Sequence, residues 1–158
     1  MIYPLAVISH SLGKKSETFI YRHAMELLPG RTAVAVRDME QGSVINDHRF
    51  PLHMIGKSCS GLRYLYWSGR FALGLSGISP VQVGLLQFLK RHNVRVVLSE
   101  YLDNSLKWLD VARKLGISFY AHAHGYDVSS MLRNPVMQRE YLRYKSADGV
   151  ITAKSHGI

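Results

Sequence analysis

Cysteine is almost absent from this chain. Cys59 stands alone among 158 residues, so no intramolecular disulfide can form. That excludes a disulfide-stapled secreted scaffold and fits a reducing compartment. Acidic residues are also scarce, 11 Asp and Glu against 20 Lys and Arg. The surplus predicts attraction to something anionic: nucleic acid, a phosphorylated small molecule or an acidic membrane surface. Long apolar runs are missing, and none approaches the roughly 20 residues needed to span a bilayer. Residues 1–8 lack the basic lead and extended apolar stretch of a signal peptide. The expected location is therefore cytoplasmic, with peripheral contact at the inner membrane face left open. The dinucleotide fingerprint G-x-G-x-x-G is absent, and a P-loop spacing ending at Gly13-Lys14 would place its first glycine on Ile8. A P-loop ATPase and a dinucleotide-binding dehydrogenase are set aside on those grounds.

What is present is ordinary globular material, 47% apolar and 20% charged, in a length that suits one domain with a real core. Short apolar runs over 2–9, 31–37, 50–55, 94–99, 117–121 and 149–152 read as strands. Helices are expected over 17–28, capped by Ser16 and stopped by Pro29-Gly30, and over 80–92, 104–115 and 134–145. Residues 38–47 read as a loop. Near-continuous apolar strands alternating with helices predict an α/β domain: a Rossmann-like parallel sheet with helices on both faces. Residues 60–77 mix Leu, Tyr, Trp and Phe with Arg63 and Arg70. They read as an amphipathic helix packed on the sheet, with an interfacial helix against anionic lipid as the alternative.

The densest chemistry is His122-Ala-His124-Gly125-Tyr126-Asp127, at the end of an apolar strand. Side chains alternate along a strand, so His122 and His124 point the same way. Gly125 is expected to turn the chain, and Asp127 to cap the helix that follows. Such junctions are where open α/β sheets bind ligands. A metal-dependent hydrolase built on His122, His124 and Asp127 is one reading, since these are zinc and iron ligand types. It lacks the adjacent Asp-His pair of known H-x-H hydrolases, and His156 is the sole histidine downstream. A basic nucleic-acid-binding module is another, but the cations are scattered and no helix carries a continuous basic face, so no nucleic-acid partner is expected. Gly13 and the amides before Glu17 suit an anion at a helix start. The bland readings are a core His122 bonded to a backbone group, a Glu17 that only favours the first helical turn, and Tyr126, Tyr141 and Tyr144 as packing.

Four stretches in register resemble the N-terminal domain of glycosyltransferase family 4, nearest its exopolysaccharide and colanic-acid branch. They are Ser16-Glu17-Thr18-Phe19-Ile20, Val96-Val-Leu-Ser-Glu100, His124-Gly125-Tyr126-Asp127, and Ala147-Asp-Gly-Val-Ile-Thr152 followed by Ser155. The resemblance implies the N-terminal, acceptor-side half of a GT-B enzyme that transfers a sugar from a nucleotide-sugar donor with retention. It implies a glycan or polyprenyl-linked acceptor in surface or exopolysaccharide assembly, and no cofactor beyond the nucleotide sugar as co-substrate. It implies His124 as the catalytic residue, with Gly13, Ser16, Glu17, Glu100, Gly125 and Asp127 binding substrate, Asp127 supporting that loop or capping the next helix, and no metal ligand. Around Ser99-Glu100-Tyr101 many relatives carry a histidine-containing turn, where this chain is acidic. The donor-holding C-terminal domain is not within these 158 residues. The chain alone is expected to be inactive unless that half comes from elsewhere, such as a separate chain.

Overall fold

The structure, a computed structural model, describes residues 2–39, 50–56 and 61–152. Most of the loop expected over 38–47, together with Cys59, Ser155 and His156, lies outside the described residues. The apolar runs pair side by side in one direction. β1 (Leu5–Leu12), β2 (Thr32–Met39), β3 (Leu52–Met54), β4 (Val96–Glu100), β5 (Ser118–Ala123) and β6 (Gly149–Thr152) form one all-parallel sheet, in the order β3-β2-β1-β4-β5-β6. The order reverses between β1 and β4, the switch point of an open α/β sheet.

Alternation along the strands supplies two cores. Ala6 and Ile8 of β1 and Ala33 and Ala35 of β2 turn toward α3 (Pro80–Arg91) and α4 (Leu102–Leu115). Val7, Val34 and Val36 turn the other way, against Ile20 and Ala24 of α1 (Thr18–Glu26). Helices therefore cover both faces, and the parallel α/β fold read from the sequence is the fold observed. On the α3/α4 side Leu85, Leu89, Leu109 and Phe119 are almost wholly buried, each favouring the fold by about 1.5–3 kcal/mol. Ser79 caps α3 through a reciprocal box with Gln82, and Pro80 follows at the first helical position. α4 ends at Gly116, whose φ of 64° is the left-handed conformation that glycine adopts without a Cβ penalty.

Several boundaries differ from the sequence reading. Ser16 does not cap α1. It is exposed on a single 3₁₀ turn, Lys15–Glu17, and α1 begins at Thr18 because the Glu17 carboxylate is held by residues outside the helix. β2 runs on through Asp38 and Met39, paired with Ser11 and Leu12. The helix expected over 134–145 is split into α6 (Pro135–Tyr141) and a 3₁₀ turn, Leu142–Ser146, where Tyr144 is buried with its hydroxyl donating to the Leu102 carbonyl. α2 (Leu62–Ala72) is a helix, but none of its residues is buried. It leans on α3, with Arg63 donating to Gln87, rather than packing on the sheet.

Candidate functional site

The carboxyl edge of the sheet gathers polar groups on the α1 face. Glu100 ends β4, and its register partner on β5 is His122. Neighbours in register share a face, and His124 follows two residues on. The sequence order thus delivers one carboxylate and two imidazoles to one spot. A third imidazole comes from the last turn of α1: His23 lies three residues after buried Ile20, on the helix's inward side.

All three rings converge on Glu100. His23 Nδ1 lies 2.7 Å from Oε1, while His122 Nδ1 and His124 Nε2 lie 2.8 and 2.9 Å from Oε2. The Glu100 side chain is fully buried. Burial raises the pKa of its carboxyl, yet the hydrogen bonds from His122, His124 and His23 outweigh that cost and hold it down to about 2. An ionised carboxylate only accepts hydrogen bonds, so each facing nitrogen carries a proton and the tautomer of every ring is set. His122 is the core histidine that the sequence suggested, although its partner is this carboxylate rather than a backbone group.

Tyr101 closes the arrangement. Its φ of 64° is rare for a residue with a side chain, a conformation that costs on the order of 1–3 kcal/mol unless its surroundings enforce it. Here its amide donates to the His122 carbonyl at 3.0 Å, and its own carbonyl accepts from the Ser105 hydroxyl at 2.6 Å. The strained backbone sends the phenol ring over His124, with 4.3 Å between ring centroids, and its hydroxyl donates to Glu17 at 3.2 Å. Burial and the neighbouring Glu17 carboxylate push the phenol pKa up to about 12, so it remains a donor at neutral pH. Phe19 flanks the other side of His124, with centroids 4.6 Å apart.

The residues singled out in the sequence fall into two groups. Glu17, Glu100 and His124 are brought together, linked through Tyr101. Glu17 accepts from the Ser11 hydroxyl at 2.6 Å and sits 3.8 Å from Lys14 Nζ. Gly13, with a φ of 98°, and Ser16 lie on the loop leading to Glu17. Gly125 is placed otherwise than expected, while Asp127 supports the loop without being the helix's cap residue. Gly125 is the first residue of α5 (Gly125–Ser129), has no left-handed φ, and would tolerate a Cβ, which meets nothing within 4 Å. His124, still extended, is the residue between β5 and that helix. Asp127 is not the cap residue but the third residue of that helix, fully buried, its carboxylate accepting from the His124 amide at 2.8 Å. Burial pushes its pKa up.

That placement takes Asp127 out of the metal-ligand set proposed with His122 and His124. A different trio, His23, Glu100 and His122, offers ligand atoms within 4.8 Å of one another and is the group of described residues that could hold a cation. In the present arrangement those atoms satisfy each other through protons. The sequence reading missed His23, Tyr101 and Ser11. His23 had one legible signal, its place on the buried side of α1. Neither family models nor curated proteins give a match to this chain.

Proposed function

We propose that this chain is the acceptor-side domain of a retaining GT-B glycosyltransferase, working on a nucleotide-sugar donor and a glycan or polyprenyl-linked acceptor in surface-polysaccharide assembly. The observation that carries the reading is the fixed imidazole of His124, set at the carboxyl end of β5 between Phe19 and Tyr101 and locked by Glu100. The order of the four motifs along the chain supports it. With Nε2 donating to Glu100, the orientation of the ring is fixed before a substrate arrives. Glycosyl transfer builds positive charge on the sugar and negative charge on the departing phosphate, so groups oriented in advance lower its barrier. His124 is the group that touches the substrate. Glu100, His122 and His23 are positioning residues beneath it, and Lys14 and Lys15 on the loop after β1 face the leaving diphosphate.

Such a reaction needs a second wall that holds the donor, because proximity and orientation supply much of the rate. The domain alone is therefore inactive, and the donor side is supplied by a further domain or a partner chain. In the same reading the protein works in the cytoplasm at the inner membrane face, where α2 presents Leu62, Leu65 and Tyr66 to an anionic surface.

The test uses membranes from cells expressing the chain together with the coding sequence that follows it, a panel of labelled nucleotide sugars, and a polyprenyl-linked acceptor. Transfer with retained anomeric configuration is expected, and His124→Ala should lower it by at least about a hundredfold, the scale of a lost acid–base or orienting group. Undiminished transfer in the variant, or no transfer from any donor, would rule the reading out.

A further inference from the structure

A second polar site lies on the opposite face of the sheet. A cavity of about 470 Å³ opens at the carboxyl ends of β1 and β2 and just beyond β3, walled by the start of α3 and the first turns of α4. It shares no lining residue with the Glu100 cluster. Its Ile55 and Trp108 belong to the α3/α4 core, whereas the cluster sits under α1. The volume falls within the range of small-molecule sites.

The wall is built for a ligand in three respects. Trp108 Nε1 and Asn104 Nδ2, both on residues that line the cavity, are buried without a hydrogen-bond partner. Trp108 is only 6% exposed. An orphaned buried donor costs on the order of 1–3 kcal/mol, so two on one cavity wall mark groups awaiting an acceptor. Among the described residues no lining side chain is acidic, whereas Arg37 and Lys107 are both there. Lys107 makes no ion pair among the described residues, and Arg37 has only an exposed contact at 3.9 Å to Asp38, a weak competitor for an incoming anion. The frame is also rigid. Gln82 of α3 donates to the Lys107 carbonyl at 2.6 Å while accepting from the Ser79 amide at 2.7 Å, which ties the two helices together across the wall.

We infer that this cavity binds a small polyhydroxylated anion, a hexose carrying a phosphate or a carboxylate. The neutral donors Trp108 and Asn104 take hydroxyl and ring oxygens, Arg37 and Lys107 take the oxyanion, and Ile55 and Val81 line the apolar side. The inference rests on the cavity alone and stands whichever reaction the histidine cluster serves.

The chain has two tryptophans, so Trp67→Phe leaves Trp108 as the sole indole reporter inside the cavity. Its fluorescence is titrated with glucose 1-phosphate, glucuronate, glucose and inorganic phosphate. Saturable changes are expected with the first two at millimolar concentration or below, with glucose at least tenfold weaker. In the Arg37→Ala/Lys107→Ala variant, both on exposed positions, affinity for the two hexose anions should fall at least tenfold while circular dichroism and the melting temperature stay unchanged. No saturable response to either hexose anion would overturn the inference, as would equal affinity in the double variant. Inorganic phosphate saturating as readily as the hexose anions would also overturn it, because the buried donors would then be idle.

Discussion

Replacing Glu100 with Gln removes the charge on which three histidines converge while keeping the shape of the side chain. The carboxyl is held from its ordinary 4.5 down to about 2, which corresponds to roughly 3 kcal/mol in favour of its ionised form in the folded protein. Gln offers one oxygen as an acceptor and turns an N–H₂ group toward a nitrogen that already carries a proton, so the amide satisfies fewer partners than the carboxylate. The expected loss at pH 7 is about 3 kcal/mol, or roughly 6–12 °C in melting temperature for a domain of this size. The pH dependence identifies the cause. A carboxyl with a depressed folded-state pKa contributes fully above 4.5 and loses that contribution as pH falls toward 2, by about 1.4 kcal/mol per pH unit. Urea unfolding of the protein and of Glu100→Gln between pH 7 and pH 3 should therefore show a difference that is constant to about pH 4.5 and shrinks below it. A difference under 1 kcal/mol at pH 7, or one equally large at pH 3, would refute the charged-hub account.

Other outcomes follow from single features. Gly116→Ala should cost about 1 kcal/mol by urea unfolding, since φ at 64° is strained for alanine although the space around the new Cβ is empty. Gly125→Ala should leave stability within about 0.5 kcal/mol, since neither its backbone nor its surroundings require glycine; loss of the proposed sugar transfer in that stable variant would show that the position touches substrate. Phe119→Ala, at 1% exposure in the α3/α4 core, should cost about 3–5 kcal/mol. Between Asp47 and Glu100 the chain has no acidic residue, and this stretch includes exposed α2 with Arg63 and Arg70. Co-sedimentation with phosphatidylglycerol vesicles should exceed that with phosphatidylcholine and fall in Leu62→Asp/Leu65→Asp. Equal sedimentation of the variant would remove α2 as the contact.

The fold was legible because parallel strands buried on both faces are nearly continuous apolar runs, and β6 falls on the residues read as a strand. Strand ends were harder to place: β5 continues through His122 and Ala123 because its pairing with β4 and β6 extends that far. Ser16 has the residue type and position of a cap, but a local rule does not register that Glu17 is tied to Tyr101, 84 residues away. The two histidines of the H-x-H stretch were found on one face, as alternation requires. Their shared partner was not, since nothing local links His122 to Glu100, or Glu100 to a histidine 77 positions earlier. The periodicity of α2 reveals that it has an apolar side, not what covers that side, and the structure leaves it uncovered.

The bond from His23 to Glu100 changes what kind of element α1 is. Nine residues are too few for a stable helix in water, and a helix of that length on a sheet would ordinarily fray from its ends. Here an imidazole in its last turn is anchored to a buried anion shared by β4 and β5, so releasing the helix leaves that anion short of a donor. Amide exchange along α1 should then follow opening of the central strands rather than local fraying, making helix and strands one cooperative unit. The wall beside His124 accordingly takes its rigidity from the global stability of the domain, and weakening the core far from the site would loosen the geometry on which the site depends.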